Sequence, residues 1–265
     1  MSSREEKMEA FGRILDIMDE LREKCPWDRE QTMESLRNLT IEETYELADA
    51  IIDKDMDEIR TELGDLLLHI VFYAKIGDEK GNFDITDVIN TVNEKLVFRH
   101  PHVFGDRQVS GSGEVISNWE ELKLKEKNGT KRVLSGVPVS LPALIKAHRV
   151  QDKVRAVGFD WAHRDDVWKK VSEEIDEVRQ EIDKGDPDRI EGEFGDLLFS
   201  IVNAARLFDV EPETALERTN GKFMKRFNHI EEHARSAGRS IRELSFEEMD
   251  QLWEEAKKEE QDDNR

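Results

Sequence analysis

The chain is poor in the residues that staple or break a fold. Cysteine occurs once in 265 residues, as Cys25. One thiol makes no internal disulfide, which excludes a disulfide scaffold and fits a reducing, cytoplasmic setting. Six prolines and 15 glycines exclude collagen-like and Pro/Gly-rich low-complexity classes. Runs alternating apolar and polar residues are nearly missing, so the fold class expected is all-α and not a sandwich or barrel. The longest apolar run, residues 66–74, is interrupted by His69 and falls far short of the roughly 20 residues of a membrane span. No apolar stretch follows the opening Met-Ser-Ser-Arg-Glu-Glu, so no secretory signal is expected. Positive charge is also scarce: 40 Lys+Arg stand against 61 Asp+Glu, a formal charge of -21. Such a surface repels phosphate backbones and anionic bilayers, and neither a nucleic acid nor a membrane is expected as partner.

What is present is helical periodicity. Met8, Phe11, Ile14, Leu15, Met18 and Leu21 recur at spacings of three and four, predicting an amphipathic helix over residues 5–24 that Cys25-Pro26-Trp27-Asp28 breaks. Helices are expected again at 32–52, 57–74, 85–98 and 114–127, with a turn at 77–83 and a stop at His100-Pro101-His102. Between Lys127 and Pro142 the composition shifts to Asn-Gly-Thr, Ser-Gly-Val-Pro and Ser-Leu-Pro, which marks a linker. Helices then recur at 143–156, 165–184, 188–208, 212–234 and 246–260.

That recurrence is a duplication. Residues 42–68 align with 173–199 without a gap, offset by 131, and 12 of 27 positions are identical. Further on, Asn93-Glu-Lys95-x3-Arg99 pairs with Asn220-Gly-Lys222-x3-Arg226, and Trp119-Glu-Glu-Leu-Lys123 with Trp253-Glu-Glu-Ala-Lys257. The chain divides into two copies of one helical module, with boundaries expected at 1–130 and 131–265.

The charged positions carry the chemistry. Glu174 and Glu177 lie three apart on one helix, stacked about 4.5 Å along its axis, and Glu193 and Asp196 repeat the spacing on the next. A hairpin at Lys184-Gly-Asp-Pro187 sets the two pairs face to face. Oxygen-only ligands converging in this way suit Mg²⁺ or Mn²⁺, not zinc. The first copy repeats the set as Glu43, Glu46, Glu62 and Asp65. Any single pair reads equally well as a solvated acidic face. The set does not, because Asp65 and Asp196 each open an apolar stretch. Lys222 with Arg226, and Lys95 with Arg99, share helical faces; alone they read as salt-bridging residues, and beside a cation as polyphosphate clamps. Trp253, with Lys257 one turn on, fits either helix packing or a base-stacking platform with a phosphate contact. No Glu-x-x-His, no Gly-x4-Gly-Lys-Ser/Thr and no Gly-x-Gly-x2-Gly occurs, which disfavours a di-iron bundle, a P-loop and a dinucleotide fold.

Glu-Glu-x2-Glu followed by Glu-x2-Asp, present twice, resembles the MazG family of nucleoside triphosphate pyrophosphohydrolases. The blocks Cys-Pro-Trp-Asp, Arg-His-Pro-His-Val-Phe, Ser-Leu-Pro-Ala-Leu and Val-Gly-Phe-Asp-Trp are similar to its bacterial two-domain form. The resemblance implies an all-α fold related to dimeric dUTPases and a homodimer. It also implies Mg²⁺-dependent cleavage of nucleoside triphosphates to monophosphate and pyrophosphate. It assigns Glu174, Glu177, Glu193 and Asp196 to the metal, and Lys170, Lys222, Arg226, Trp253 and Lys257 to the nucleotide. Glu173 and Glu174 are both candidates for the general base. Leu39 stands in the first copy where Lys170 stands in the second, so the main activity is expected in the C-terminal copy. A phosphohydrolase of other specificity and a non-catalytic nucleotide sensor are the competing readings.

Overall fold

The computed structural model describes residues 2–111, 113–115, 118, 119, 122 and 132–263. No strand occurs among them, and no described helix is long and apolar enough to cross a membrane. The chain divides into two compact units, Met1–Asn128 and Gly129–Arg265.

In the first unit α1 spans Arg4–Lys24, α2 Pro26–Glu30, α3 Met33–Asp53, α4 Met56–Glu79, α5 Ile85–Arg99 and α6 Pro101–Phe104. Local chemistry sets the starts. Ser3 and Glu6 form a capping box on α1, Thr32 and Ser35 do the same on α3, and Asp84 and Asp87 on α5, each satisfying N–H groups the first turn leaves unpaired. The α3–α4 hairpin turns on Lys54, whose φ of 60° is left-handed. Met18 from α1, Leu36 from α3, and Val71, Phe72 and Ile76 from α4 form the core, with Leu39 and Tyr73 packed against it.

In the second unit α7 spans Ala143–Arg155, α8 Val167–Lys184, α9 Pro187–Leu207, α10 Pro212–Ser236 and α11 Phe246–Asp263, with short 3₁₀ turns at Arg164–Asp166 and Ile241–Glu243. The α8–α9 hairpin repeats α3–α4 and turns on Gly185, φ 77°. Val167, Val171 and Ala204 are the buried centre of this pair. A second cluster, Ile230, Ala234, Leu244 and Leu252, joins α10 to α11.

Two expected boundaries move. The turn expected from residue 77 begins at Lys80, because α4 runs on through Glu79. Gly77 is there for close approach: a Cβ on it would come within 2.7 Å of the Phe83 ring and 2.8 Å of the Phe83 carbonyl oxygen. The breaks at Cys25 and His100 hold, yet each is followed at once by a short helix with proline in its first turn, where the missing N–H costs nothing. The helix expected at 114–127 lies mostly outside the described residues, as does the first part of the 127–142 linker.

Candidate metal centre and adjoining cleft

The α8 face that packs on α9 carries Val167, Val171, Glu174, Val178 and Glu181, all buried. Two acids on an otherwise aliphatic stripe need partners. Glu181 has one in Lys184, at 2.6 Å. Glu174, 5% exposed, takes Lys170 Nζ at 2.7 Å on Oε1, but its Oε2 is buried without a hydrogen bond. Across the hairpin, oxygens of Glu174, Glu177 and Glu193 lie within 4.8 Å of one another. Hydrogen bonding to Glu174, then burial, then the Glu174 charge push the Glu177 carboxyl above its ordinary range.

The first unit builds the same arrangement. Glu43, Glu62 and Asp65 offer oxygens within 4.8 Å, and Glu62, 4% exposed, keeps Oε2 buried without a hydrogen bond. Burial, followed by neighbouring carboxylates, raises both Glu46 and Glu62. A hard divalent cation would answer all of these features: oxygen-only donors, buried orphan oxygens and carboxyls held above their normal range. The residues present fit such an ion in both units.

Around the second trio the structure opens a cleft of about 690 Å³ whose wall includes Lys170, Glu174 and Asp196. Asp196 is thereby placed at the mouth of the carboxylate group. Lys170 bridges Glu174 and Glu173, the latter at 3.1 Å. The far wall comes from α7, the loop before α8, and the later turns of α9: Gln151, Trp161, Phe199, Asn203 and Arg206. Arg206, 6% exposed, is anchored on Asp160 through both guanidinium nitrogens, one at 3.2 Å. Burial alone would raise Asp160, but Arg206 and the Trp161 N–H, at 2.9 Å, hold it below its usual range. Sequence reading took Asp160-Trp161 only as part of a family block and passed over Gln151, Asn203 and Arg206. The one available signal was arginine inside an apolar helix.

The remaining expected nucleotide residues sit on α10 and α11. Arg226 pairs with Glu260 at 2.7 Å and lies 5.4 Å over the Trp253 ring. Lys257 pairs with Glu254 at 3.0 Å, Lys222 is exposed, and Trp253 packs on the α10–α11 cluster. None of these four lines the cleft. In the first unit Arg99 lies 5.7 Å over Trp119, the same Arg-on-Trp contact at the positions the repeat pairs, while Lys95 is exposed.

Comparison with known proteins agrees with this duplicated site. The MazG nucleotide pyrophosphohydrolase domain matches residues 31–104 and again 164–231, which are the two hairpins and the helix after each. A nucleoside triphosphate pyrophosphohydrolase/pyrophosphatase MazG from Thermotoga maritima is 46% identical over 93% of this chain and 95% of its own length. A nucleoside triphosphate pyrophosphohydrolase from Escherichia coli K12 is 42% identical over 96% of this chain and all of its own. One from Mycolicibacterium smegmatis is 41% identical over 54% of this chain and 45% of its own. With the matched domain present twice and these relatives aligned almost end to end, the chain belongs to the MazG family.

Proposed function

We propose that this protein hydrolyses nucleoside triphosphates to monophosphate and pyrophosphate, with Mg²⁺ or Mn²⁺ held by Glu174, Glu177, Glu193 and Asp196. The observation that carries the reading is a buried carboxylate trio with an orphan oxygen, opening onto a cleft that Lys170 enters from the same helix. The family names of the aligned relatives support the same reaction. A bound divalent ion would supply charge stabilisation at the phosphate and a more acidic water.

The chain's own residues do the rest. Lys170 neutralises Glu174 and Glu173 in the ion-free site. With a cation among the carboxylates, its ammonium is available to the phosphate chain and to the charge that develops on leaving pyrophosphate. Of the two candidate bases, Glu174 is committed to the trio, whereas the Glu173 side chain is 57% exposed and open to water. Glu173 is therefore assigned the proton. Lys222, Arg226, Trp253 and Lys257 are assigned to the outer part of the nucleotide, Arg226 exchanging Glu260 for phosphate.

The first unit repeats the carboxylates without a lysine at position 39, so it is assigned a cation site of little or no activity. Both units expose equivalent apolar stripes, Leu63, Leu67 and Ile70 on α4 and Phe194, Leu198 and Ile201 on α9, which supports a homodimer. The test is pyrophosphate release from eight ribo- and deoxyribonucleoside triphosphates by wild type, Glu177→Gln and Glu46→Gln. The expected result is pyrophosphate, lost at least 100-fold in Glu177→Gln and retained in Glu46→Gln. Orthophosphate in its place, or no turnover, rejects the assignment.

A further inference from the structure

The cleft of the second unit runs past the carboxylates into a part that metal binding does not use. Its volume suits a nucleotide-sized ligand, and two amides in its wall are held in fixed orientation. Asn203 Oδ1 accepts from Arg206 Nε at 3.1 Å and Nη2 at 2.9 Å, which leaves Nδ2 as its donor. Gln151, 4% exposed, donates Nε2 to the Phe199 carbonyl at 2.9 Å. Its Oε1 is buried and makes no hydrogen bond, an arrangement that favours a ligand bringing an N–H. Trp161 and Phe199 add aromatic faces to the same wall. A flat ring with a donor beside an acceptor, joined to an anion that reaches Lys170, matches this wall.

The duplication provides an internal control. At the offset of 131, Asn203 corresponds to Phe72, Arg206 to Lys75 and Lys170 to Leu39. Phe72 is 3% exposed, and Leu39 packs against its cluster with Met18 and Leu36. Lys75 is drawn off to Asp19 at 2.7 Å. The hollow left beside it is about 190 Å³ and includes none of the first unit's carboxylate trio in its wall. The copies thus retain the same acids and differ in the space next to them.

We propose that this cleft is the nucleoside subsite of the C-terminal unit, with Asn203 and Gln151 reading the edge of the base. The corresponding place in the N-terminal unit is filled by Phe72 and Leu39, so that unit holds a cation and takes no nucleotide. The assignment rests on the pyrophosphohydrolase reading and deepens it.

Calorimetric titration of the full chain with Mg²⁺ tests it, using α,β-methylene analogues of ATP, GTP, CTP and UTP, and inorganic tripolyphosphate as the ligand without a base. Asn203→Phe imports the first unit's residue, and Gln151→Met removes both polar atoms at nearly constant length. The expected result is at least a tenfold loss of nucleotide affinity in each, unequal among the bases, with tripolyphosphate within twofold of wild type. If Asn203→Phe melts early, Gln151→Met and Trp161→Ala decide the matter. Nucleotide affinity unchanged in the folded variants, or falling in step with tripolyphosphate, overturns the cleft assignment even where wild type still releases pyrophosphate. A wild type that releases none fails the hydrolase reading, and the analogue titrations still decide the cleft.

Discussion

At the scale of single residues, the two copies differ most consequentially at position 170. Leucine at 39 packs into a core, and lysine at 170 reaches two carboxylates. Lys170→Leu is expected to lower kcat/KM by about 100-fold while the cation still binds, the order of effect for one preorganised charged donor to a developing oxyanion. Steady-state pyrophosphate release with Mn²⁺ titration checks both halves. The Asp160–Arg206 pair makes a stability prediction. Asp160→Asn leaves a nearly buried guanidinium without its counter-charge, and unfolding in urea is expected to show a loss of about 3 kcal/mol. The pair also fixes a direction in pH. Asp160 titrates below its ordinary value, so its contribution is full above the unfolded pKa of about 4 and is lost as pH falls through the lower native value. An Asp160→Asn variant whose stability tracks that of wild type from pH 7 to pH 2 would refute it.

At the scale of elements, the hairpins show what a sequence makes legible and what it hides. The carboxylate pairs were readable because an acid inside an apolar helical stripe is conspicuous and the gapless repeat displays it twice. The turn at Gly185 was readable because glycine beside Asp-Pro has few other uses. Gly77 misled for a physical reason: a glycine that opens a turn and a glycine that admits the Phe83 ring look alike in one dimension. The cleft was hidden because its wall joins Gln151, Trp161 and Asn203 from three separate segments, and a lone Gln or Asn on a helix looks like any solvated position. The two turns carry a prediction of their own. Lys54 holds a left-handed φ of 60° where the second copy uses glycine at 77°. Lys54→Gly is expected to stabilise the first hairpin, and Gly185→Ala to destabilise the second, by about 1 kcal/mol each. Midpoints in urea at unchanged m-value would show it, and shifts of the same sign for both would reject the backbone explanation.

At the scale of the whole molecule, two carboxylate clusters burden an already acidic chain, and a cation relieves both. Glu177 is raised by its hydrogen bond and proximity to Glu174, Glu46 and Glu62 by burial and their neighbours. An acid whose native pKa exceeds its unfolded value costs stability as pH rises through the interval between them, starting near about 4.3, and the cost is complete at neutral pH. A bound divalent ion offsets that cost, and it competes with protons for the same oxygens. Saturating Mg²⁺ is thus expected to raise the melting temperature by roughly 5–10 °C at pH 7.5 and by much less at pH 5. Glu62→Gln and Glu177→Gln should each remove part of the rise if both units bind an ion. A Mg²⁺ effect as large at pH 5 as at pH 7.5 would mean that the ion acts elsewhere. The exposed stripes lead to a further consequence. Leu63, Leu67 and Ile70 recur as Phe194, Leu198 and Ile201 at the same offset as the acids, so the duplication retained an apolar face together with the site. Rows of large side chains at one helical face are costly in water and mark a contact surface. Sedimentation equilibrium is expected to give about twice the 30.8 kDa chain mass. Leu67→Glu with Leu198→Glu should reduce it to one chain without loss of helical content, because both positions lie outside the buried clusters. A wild type that sediments as a single chain at tens of micromolar would remove the dimer from this description and leave the carboxylate site standing.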